Sequence, residues 1–387
     1  MIQKRKEVCS QLGNEMRVII SGGGTGGHIF PALAIADGLR RINPSIKFLF
    51  VGANGRMEME KVPAAGYEII GLNITGINRS FSLSNLMFPF RLLGSLVKAM
   101  DIVRKFRPHV AVGVGGYASG PLLWAASKSN VPTVIQEQNS YPGITNKILA
   151  SKASVICTGY DNMEKYFPSS KILFTGNPVR KEMVDIAGKR DEAISFFNLD
   201  SSKPVLLVVG GSQGARTINH AIRNGLELLR DNGVQLIWQC GKHFLPEALD
   251  SIKSTGYTNA RAFDFISRMD YAYASANLVV SRAGASTVSE LCVVGKPAIM
   301  VPLPTAAEDH QTHNCMAMVS KGAALLVKDA DSGTQLVAKA IDTLRDNKLL
   351  FELADHMSRL SVTDAADRIA NKVYELALQH SKTVSKN

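Results

Sequence analysis

The chain has 387 residues, 45% of them hydrophobic and 20% charged, with a formal net charge of +11. That apolar share excludes wholesale disorder, and the length suggests two domains. The five cysteines (Cys9, Cys157, Cys240, Cys292 and Cys315) are scattered without a C-x-x-C pair, which excludes a disulfide scaffold and points to a reducing compartment.

The basic start (Lys4, Arg5, Lys6) is not followed by an apolar run of signal-peptide length. The long uncharged stretch from His109 to Ser127 is broken by Gly113, Gly115, Gly116, Gly120 and Pro121. It reads as strand, loop and helix, so no transmembrane segment is expected. Residues 1–110 hold 15 Lys/Arg against 7 Asp/Glu, which places most of the positive charge in the first third. Such a surface suits an anionic partner: nucleic acid, acidic membrane or a phosphorylated substrate.

In chain order, Arg17–Ile20, Lys47–Val51, Val110–Val114, Pro132–Ile135 and Ser154–Cys157 read as buried strands. Pro204–Val209, Gln235–Trp238, Asn277–Val280 and Pro297–Val301 repeat the style in the second half. Strands alternating with helical patterns predict α/β domains with parallel sheets. A strand leads into Gly23–Gly27, and 187 residues later another leads into Gly210–Gly214. The duplication predicts two Rossmann-like domains. We expect an extension over 1–16, a first domain over 17–175, a linker over 176–203 and a second domain over 204–365. Residues 366–387 then form a helix that packs back on the first domain, and a tail.

Glycines at a strand-to-helix turn let backbone N–H groups approach an anion at a helix N-terminus. Gly22, Gly24 and Gly27 spell G-x-G-x-x-G. The second strand, however, ends Phe50-Val-Gly-Ala-Asn54 without the carboxylate a dinucleotide ribose needs. Arg56 could meet a 2′-phosphate, which keeps an NADP-dependent oxidoreductase as the alternative. His28-Ile29 replaces the Lys-Ser/Thr ending of a nucleotide-hydrolase loop. A further turn, Ser281–Glu290, suits a diphosphate, with Glu290 placed to accept hydrogen bonds from ribose hydroxyls. The alternative there is a helix capped by Ser286 with Glu290 solvated.

Seven motifs occur in order: Gly23-Gly-Thr-Gly-Gly-His-Ile-Phe-Pro-Ala-Leu-Ala34, Gly115-Gly-Tyr-Ala-Ser-Gly-Pro121, Glu137-Gln-Asn139, Gly176-Asn-Pro-Val-Arg180, Gly210-Gly-Ser-Gln-Gly-Ala-Arg216, Gly284-Ala-Ser-Thr-Val-Ser-Glu290 and Glu308-Asp-His-Gln311. Together they resemble the MurG family of bacterial N-acetylglucosaminyltransferases, from about Arg17 to Leu376. The resemblance implies the GT-B architecture, two Rossmann-like domains with parallel sheets facing across a cleft. It implies inverting transfer of GlcNAc from UDP-GlcNAc to the 4-hydroxyl of undecaprenyl-diphosphate-linked N-acetylmuramyl-pentapeptide, lipid I to lipid II, in peptidoglycan synthesis. Another GT-B transferase acting on UDP-sugars is a close alternative.

By the same resemblance, Ile266 presents backbone groups to uracil with Arg180 nearby. Ser212 and the turn Ala285, Ser286, Thr287 hold the diphosphate, and Glu290 the ribose. Gln311 and Asn139 contact the sugar from opposite sides of the cleft. Thr25, Gly26 and Gly27 are assigned to the donor, in a loop that with His28 and Tyr117 also faces the acceptor.

The displacement needs a base for the attacking hydroxyl and stabilisation of the departing diphosphate, which helix dipoles and loop amides supply without a metal. His28 is the first choice as base, since imidazole ordinarily titrates near neutrality. Glu137 is the rival. Each also has a bland role, His28 as acceptor-positioning or capping residue and Glu137 as a hydrogen-bond acceptor in its loop. No bound cofactor or metal is expected, and divalent-ion dependence stays open. Asp329-Ala-Asp331 reads as helix capping. His310-x-x-His313 beside Cys315 has the spacing of one helix face but no further ligand group. The cysteines read as small buried residues.

Over residues 79–107, Phe81, Leu83, Leu86, Met87 and Phe88 precede a helix with two apolar faces: Phe90, Leu93, Val97 and Met100 on one, Leu92, Leu96, Ala99 and Val103 on the other. Arg79, Arg91, Lys98, Arg104, Lys105 and Arg107 against Asp101 make the segment strongly basic. One face can pack on the domain, leaving the other for an anionic membrane surface; a wholly buried helix with basic flanks is the alternative. The expected partners are UDP-GlcNAc, the lipid-linked muramyl-pentapeptide and that membrane surface, with no nucleic acid. The expected location is peripheral, on the cytoplasmic face of the bacterial cell membrane.

Overall fold

The computed structural model describes residues 15–75, 87–179, 184–211 and 213–384. They form two compact units. The first holds the described residues up to Gln138, Pro142–Pro178 and the chain from Asp364 onward. The second holds Asn139–Tyr141 and Val179–Thr363.

In the first unit the elements run β1 (Arg17–Ser21), α1 (Gly26–Ile42), β2 (Lys47–Ala53), α2 (Glu58–Ala64), β3 (Ile69–Leu72), α3 (Phe88–Phe106), β4 (Val110–Gly113), α4 (Ser119–Lys128), β5 (Thr133–Glu137), α5 (Ile144–Leu149), β6 (Val155–Thr158) and β7 (Ile172–Phe174). The sheet order is β3-β2-β1-β4-β5-β6-β7, and every pairing is parallel. A parallel sheet is covered on both faces, so its inner strands read as continuous β-branched runs. Val18, Ile20, Phe50, Val110, Val112 and Val134 make that core with Ile29, Ala32, Ile35 and Leu39 of α1.

The second unit runs α6 (Arg190–Phe196), β8 (Val205–Val209), α7 (Arg216–Asn224), α8 (Leu226–Asp231), β9 (Gln235–Gln239), α9 (Leu245–Ser254), β10 (Ala260–Phe263), α10 (Met269–Ser275), β11 (Leu278–Ser281), α11 (Ala285–Val294), β12 (Ala298–Met300), α12 (His310–Val319), β13 (Leu325–Leu326), α13 (Ser332–Arg345) and α14 (Asn347–Arg359). Its order, β10-β9-β8-β11-β12-β13, is again all parallel. Leu206, Val208, Leu236, Trp238, Leu278 and Val280 pack against Ile218 and Ile222 of α7 and Leu336 and Ile341 of α13.

The last helix, α15 (Ala365–Val384), belongs to the first unit and packs on α1. A Cβ at Gly38 would lie 2.9 Å from that of Ala370, so the glycine sets how closely the helices approach. Ile369, Ala370, Val373 and Ala377 are fully buried there. Residues 176–203 differ from the linker expected of them. The division falls after Pro178, and from Arg190 the chain is folded into the second unit. Phe196 meets Tyr271 edge-on and Phe197 meets Phe263, so aromatic burial makes this segment part of the domain.

In both sheets the strand order reverses at one point, between β1 and β4 and between β8 and β11. The loops leaving those strands splay apart beyond the carboxyl ends, which is where open α/β sheets bind ligands. The turns at Gly22–Thr25 and Val114–Ala118 flank the first switch point. Those that carry Gly210 and Gly214 and the one at Arg282–Gly284 flank the second.

Candidate active site

At the first switch point Ser21 anchors the end of β1 by donating from Oγ to the Val51 carbonyl at 2.8 Å. The chain then turns at Gly24, whose φ of +86° favours glycine, and enters α1 after Thr25. His28 lies in the first turn of α1, half-buried, with Nδ1 2.9 Å from the Gly23 carbonyl. On the facing loop a Cβ at Gly115 would stand 2.8 Å from His28 Nε2, and one at Gly116 would stand 2.4 Å from the Gly23 oxygen. The two glycines therefore let the β4 loop close over the imidazole and its carbonyl partner. Tyr117 follows, 47% exposed.

Glu137 ends β5 and is buried. Its carboxylate accepts from Asn146 Nδ2 at 2.7 Å and from the Gly143 amide at 3.2 Å. These bonds organise the loop that follows β5, the bland role considered for it.

The first loop contains a residue that sequence reasoning missed. Glu58, in the first turn of α2 and 1% exposed, accepts from the Gly24 amide at 2.8 Å and the Ala53 amide at 3.0 Å. Its sequence signal is faint, since an acidic residue opening a helix usually reads as a solvated dipole partner. The carboxylate also removes the dinucleotide reading. It takes the Gly24 amide from any pyrophosphate and sets a negative charge beneath the turn, while no acid ends β2 for a ribose.

In the second unit, Ala285, Ser286 and Thr287 form the first turn of α11, whose N-cap is Gly284 without a side-chain cap. Ser286 is thus not the cap considered for it. The opening amides of a helix have no intrahelical acceptor, which makes this turn an anion cradle. Glu290, half-buried, accepts from the Tyr273 hydroxyl at 2.9 Å. Tyr273 is fully buried, and its pKa is raised by that burial and by the neighbouring carboxylate. A fixed phenol therefore orients Glu290, which is not the freely solvated group of the alternative reading. Gln311 opens α12 and accepts from the Leu303 amide at 3.0 Å through Oε1.

Three expectations are changed. Asn139 groups with the same unit as Gln311 and not opposite it. Fully buried Asn314 donates to Asn139 Oδ1 at 3.1 Å and to the Ala283 carbonyl at 3.2 Å. The Ile266 amide is engaged by Gln239 Oε1 at 2.9 Å, so its carbonyl is the group suited to a uracil N–H. Asp329-Ala-Asp331 does not cap α13, since Asp331 makes no capping bond. Asp329 instead pairs with Arg282 and accepts from Thr217 at 3.1 Å, while Arg282 also donates to the Val301 carbonyl at 3.1 Å. This cluster ties together the turns around the second switch point. Arg180 and Ser212, and in the basic segment Arg79, Phe81, Leu83 and Leu86, lie outside the described residues.

The His310–His313 pair is dispersed. His310 Nδ1 donates to the Ala307 carbonyl and His313 stacks on Tyr141 at 4.7 Å. Among the described residues no group of three His, Cys, Asp or Glu side chains is placed to hold a metal ion. Burial pushes the thiols of Cys157, Cys292 and Cys315 up to about 12 and that of Cys240 to about 11, far from nucleophilic.

Helix α3 sorts its two apolar faces. Ala99 and Val103 are buried, whereas Phe90, Leu93 and Val97 are 70%, 62% and 65% exposed. Trp124, Ile144 and Ile148 on α4 and α5 are exposed as well, and sequence reasoning did not single them out. Among the described residues no helix is long and apolar enough to cross a membrane.

Two parallel α/β units, each with a glycine turn at its switch point, and a carboxylate one turn inside a helix that can cradle a diphosphate are the parts of a sugar-nucleotide enzyme. The N-terminal domain of glycosyltransferase family 28 matches residues 18–158 and the C-terminal domain of that family matches 205–369. A UDP-N-acetylglucosamine–N-acetylmuramyl-(pentapeptide) pyrophosphoryl-undecaprenol N-acetylglucosamine transferase of Bacteroides fragilis is 50% identical over 369 residues, 95% of this chain and 97% of its own. One of Cytophaga hutchinsonii is 50% identical over 93% of this chain and 96% of its own. The crystal structure of Acinetobacter baumannii MurG superposes with a TM-score of 0.76 at 28% identity, covering 93% of this chain and 99% of that one. A UDP-GlcNAc 2-epimerase of Neisseria meningitidis, at 15% identity and a TM-score of 0.64, shares the fold. The chain belongs to the MurG family of GT-B glycosyltransferases.

Proposed function

We propose that this enzyme transfers GlcNAc from UDP-GlcNAc to the 4-hydroxyl of undecaprenyl-diphosphate-linked N-acetylmuramyl-pentapeptide, converting lipid I to lipid II. The observation that carries this reading is the identity of about half the residues over nearly the whole length with transferases named for that reaction. His28 serves as the base. A carbonyl oxygen can only accept, so Nδ1 carries the proton bonded to Gly23, and the neutral ring presents its lone pair at Nε2. The acceptor hydroxyl gives its proton to Nε2 as its oxygen attacks the anomeric carbon. The carbon–oxygen bond to UDP breaks with inversion, and the electron pair leaves on the diphosphate.

The first-turn amides of α11 offset that developing charge. Glu290, held by Tyr273, accepts from the ribose hydroxyls, and the Ile266 carbonyl from uracil. Gln311 and Asn139 contact the sugar, and Thr25, Gly26, Gly27 and Tyr117 face the sugars at the first loop. Glu137 is a positioning residue.

The exposed face of α3, flanked by Arg91, Lys98, Arg104 and Lys105, supports a peripheral enzyme on an anionic membrane surface, where the lipid-linked acceptor resides. The cytoplasmic face, and roles in cell-wall growth, shape and division, follow from the same reading. The test is UDP release from UDP-GlcNAc with and without a lipid-linked muramyl-pentapeptide in detergent. Acceptor-dependent release is expected. UDP-GlcNAc binding without any acceptor-dependent release would show that the acceptor is wrong.

A further inference from the structure

We propose that Glu58 is a positioning residue for His28, acting through the single peptide group that joins Gly23 to Gly24. The N–H of that group donates to Glu58 Oε2 at 2.8 Å, and its C=O accepts from His28 Nδ1 at 2.9 Å. Carboxylate, amide and imidazole therefore form one chain of hydrogen bonds. A carboxylate on the N–H side polarises the amide and makes its carbonyl a stronger acceptor, since linked hydrogen bonds reinforce one another. The result holds the His28 proton on Nδ1 and keeps the lone pair on Nε2, the atom that needs it.

The surroundings are shaped to this chain. A Cβ at Gly23 would fall 2.1 Å from Glu58 Oε1, and one at Gly52 would fall 2.5 Å from its Cγ. The two glycines make the cradle in which the side chain lies. The Ala53 amide at 3.0 Å fixes the second carboxylate oxygen, which orients the first toward Gly24. Gly116 lets the facing loop close on the Gly23 oxygen from the other side. A buried carboxylate is expensive unless its oxygens are met by donors, and both are met here by backbone amides.

The proposal rests on His28 being the base, so its test separates the two. Glu58→Gln keeps the shape but faces one of the two amides with an NH2 group. A general base is worth about 10²–10⁴-fold, and misplacing it should remove part of that, about tenfold or more in kcat for acceptor-dependent UDP release. The KM for UDP-GlcNAc should change less than about twofold, because the hydrogen bonds of Glu58 go to the Gly24 and Ala53 amides, neither of which is assigned to the donor. The direct readout is 15N NMR of histidine-labelled enzyme, with His28 assigned through His28→Gln. The wild type should show His28 protonated at Nδ1, and Glu58→Gln should move it toward the Nε2–H tautomer. A fall in kcat with an unchanged tautomer would reduce Glu58 to a structural acid and overturn the proposal, as would unchanged kcat. Should Glu58→Gln not fold, the wild-type spectrum decides, since an Nε2–H His28 overturns the proposal without any variant. If His28→Ala keeps full turnover, the base assignment fails, and the tautomer shift alone then supports or overturns the role of Glu58.

Discussion

The two units open alike, with a strand, a glycine turn and a helix, yet the turns are finished differently. In the first, a side chain from outside the motif closes it, as Glu58 takes the Gly24 amide. In the second, the turn is packed backbone on backbone, with Gly214 against the Cys240 carbonyl and Gly241 against the Gly214 amide. An anion already sits under the first turn, which disfavours a diphosphate there and leaves the loop to present an imidazole. In the proposed function the second unit gives the opening turn of α11 to the diphosphate and Glu290, one turn further on, to the ribose. Equivalent topology thus supports unlike chemistry, and the deciding residue lies some thirty positions beyond the glycine motif.

The contrast is broken most directly at His28. His28→Ala should lower kcat by about 10²–10⁴-fold while UDP-GlcNAc affinity by calorimetry stays near wild type. A matching loss of donor affinity would mean that the first turn holds the nucleotide after all. Glu290→Ala should do the converse. Hydrogen bonds to a charged group are worth about 1.5–3 kcal/mol, so donor affinity should fall about 10- to 100-fold, with the His28 environment unchanged.

How far the sequence foretells this division follows from burial. The nine runs read as strands are the nine inner strands of the two sheets, and β3, β7, β10 and β13, which were not read, are the four edges. Inner strands are covered on both faces and become unbroken apolar runs, such as Val205–Val209. The edge strand Ile172–Phe174 is apolar too, but it is three residues long and largely exposed, a run too short to read as a buried strand. The same logic separates the site residues. Glycine turns, His28 and Glu290 announce themselves because their chemistry is local. Glu58 and Asn314 do not, because each works by reaching amides or side chains brought near by the fold. Asp329 misled for that reason too: its place before a helix suggested a cap, but Arg282 and Thr217 claim its carboxylate.

A smaller effect should sharpen the contrast on the membrane side. Leu93→Glu with Val97→Glu alters two exposed positions of α3 and should leave donor binding and melting temperature near wild type. Burying such a side chain is worth about 1.5–3 kcal/mol, so sedimentation with anionic vesicles should weaken at least tenfold. Unchanged vesicle binding would remove α3 from the membrane-facing surface.

The smallest expected effect concerns the second unit alone. Asp270, nearly buried on α10, accepts from Arg268 at 2.9 Å and from Lys189 at 3.1 Å. The Arg268 guanidinium, then the Lys189 ammonium, hold its pKa down at about 2. A carboxylate whose folded pKa is depressed adds stability that is complete above the ordinary carboxylate range. That stability is lost as pH falls through about 4 toward 2. Because Arg268 is substantially exposed, solvent screening limits the contribution to roughly 1–2 kcal/mol. Asp270→Asn should therefore melt below the wild type at pH 6 and converge with it near pH 2. Since α10 also carries Tyr273, the buried partner of Glu290, the same variant should loosen donor binding slightly at pH 6. A melting difference that persists undiminished at pH 2 would show that packing of α6 on α10, and not the ion pair, holds this side of the donor unit.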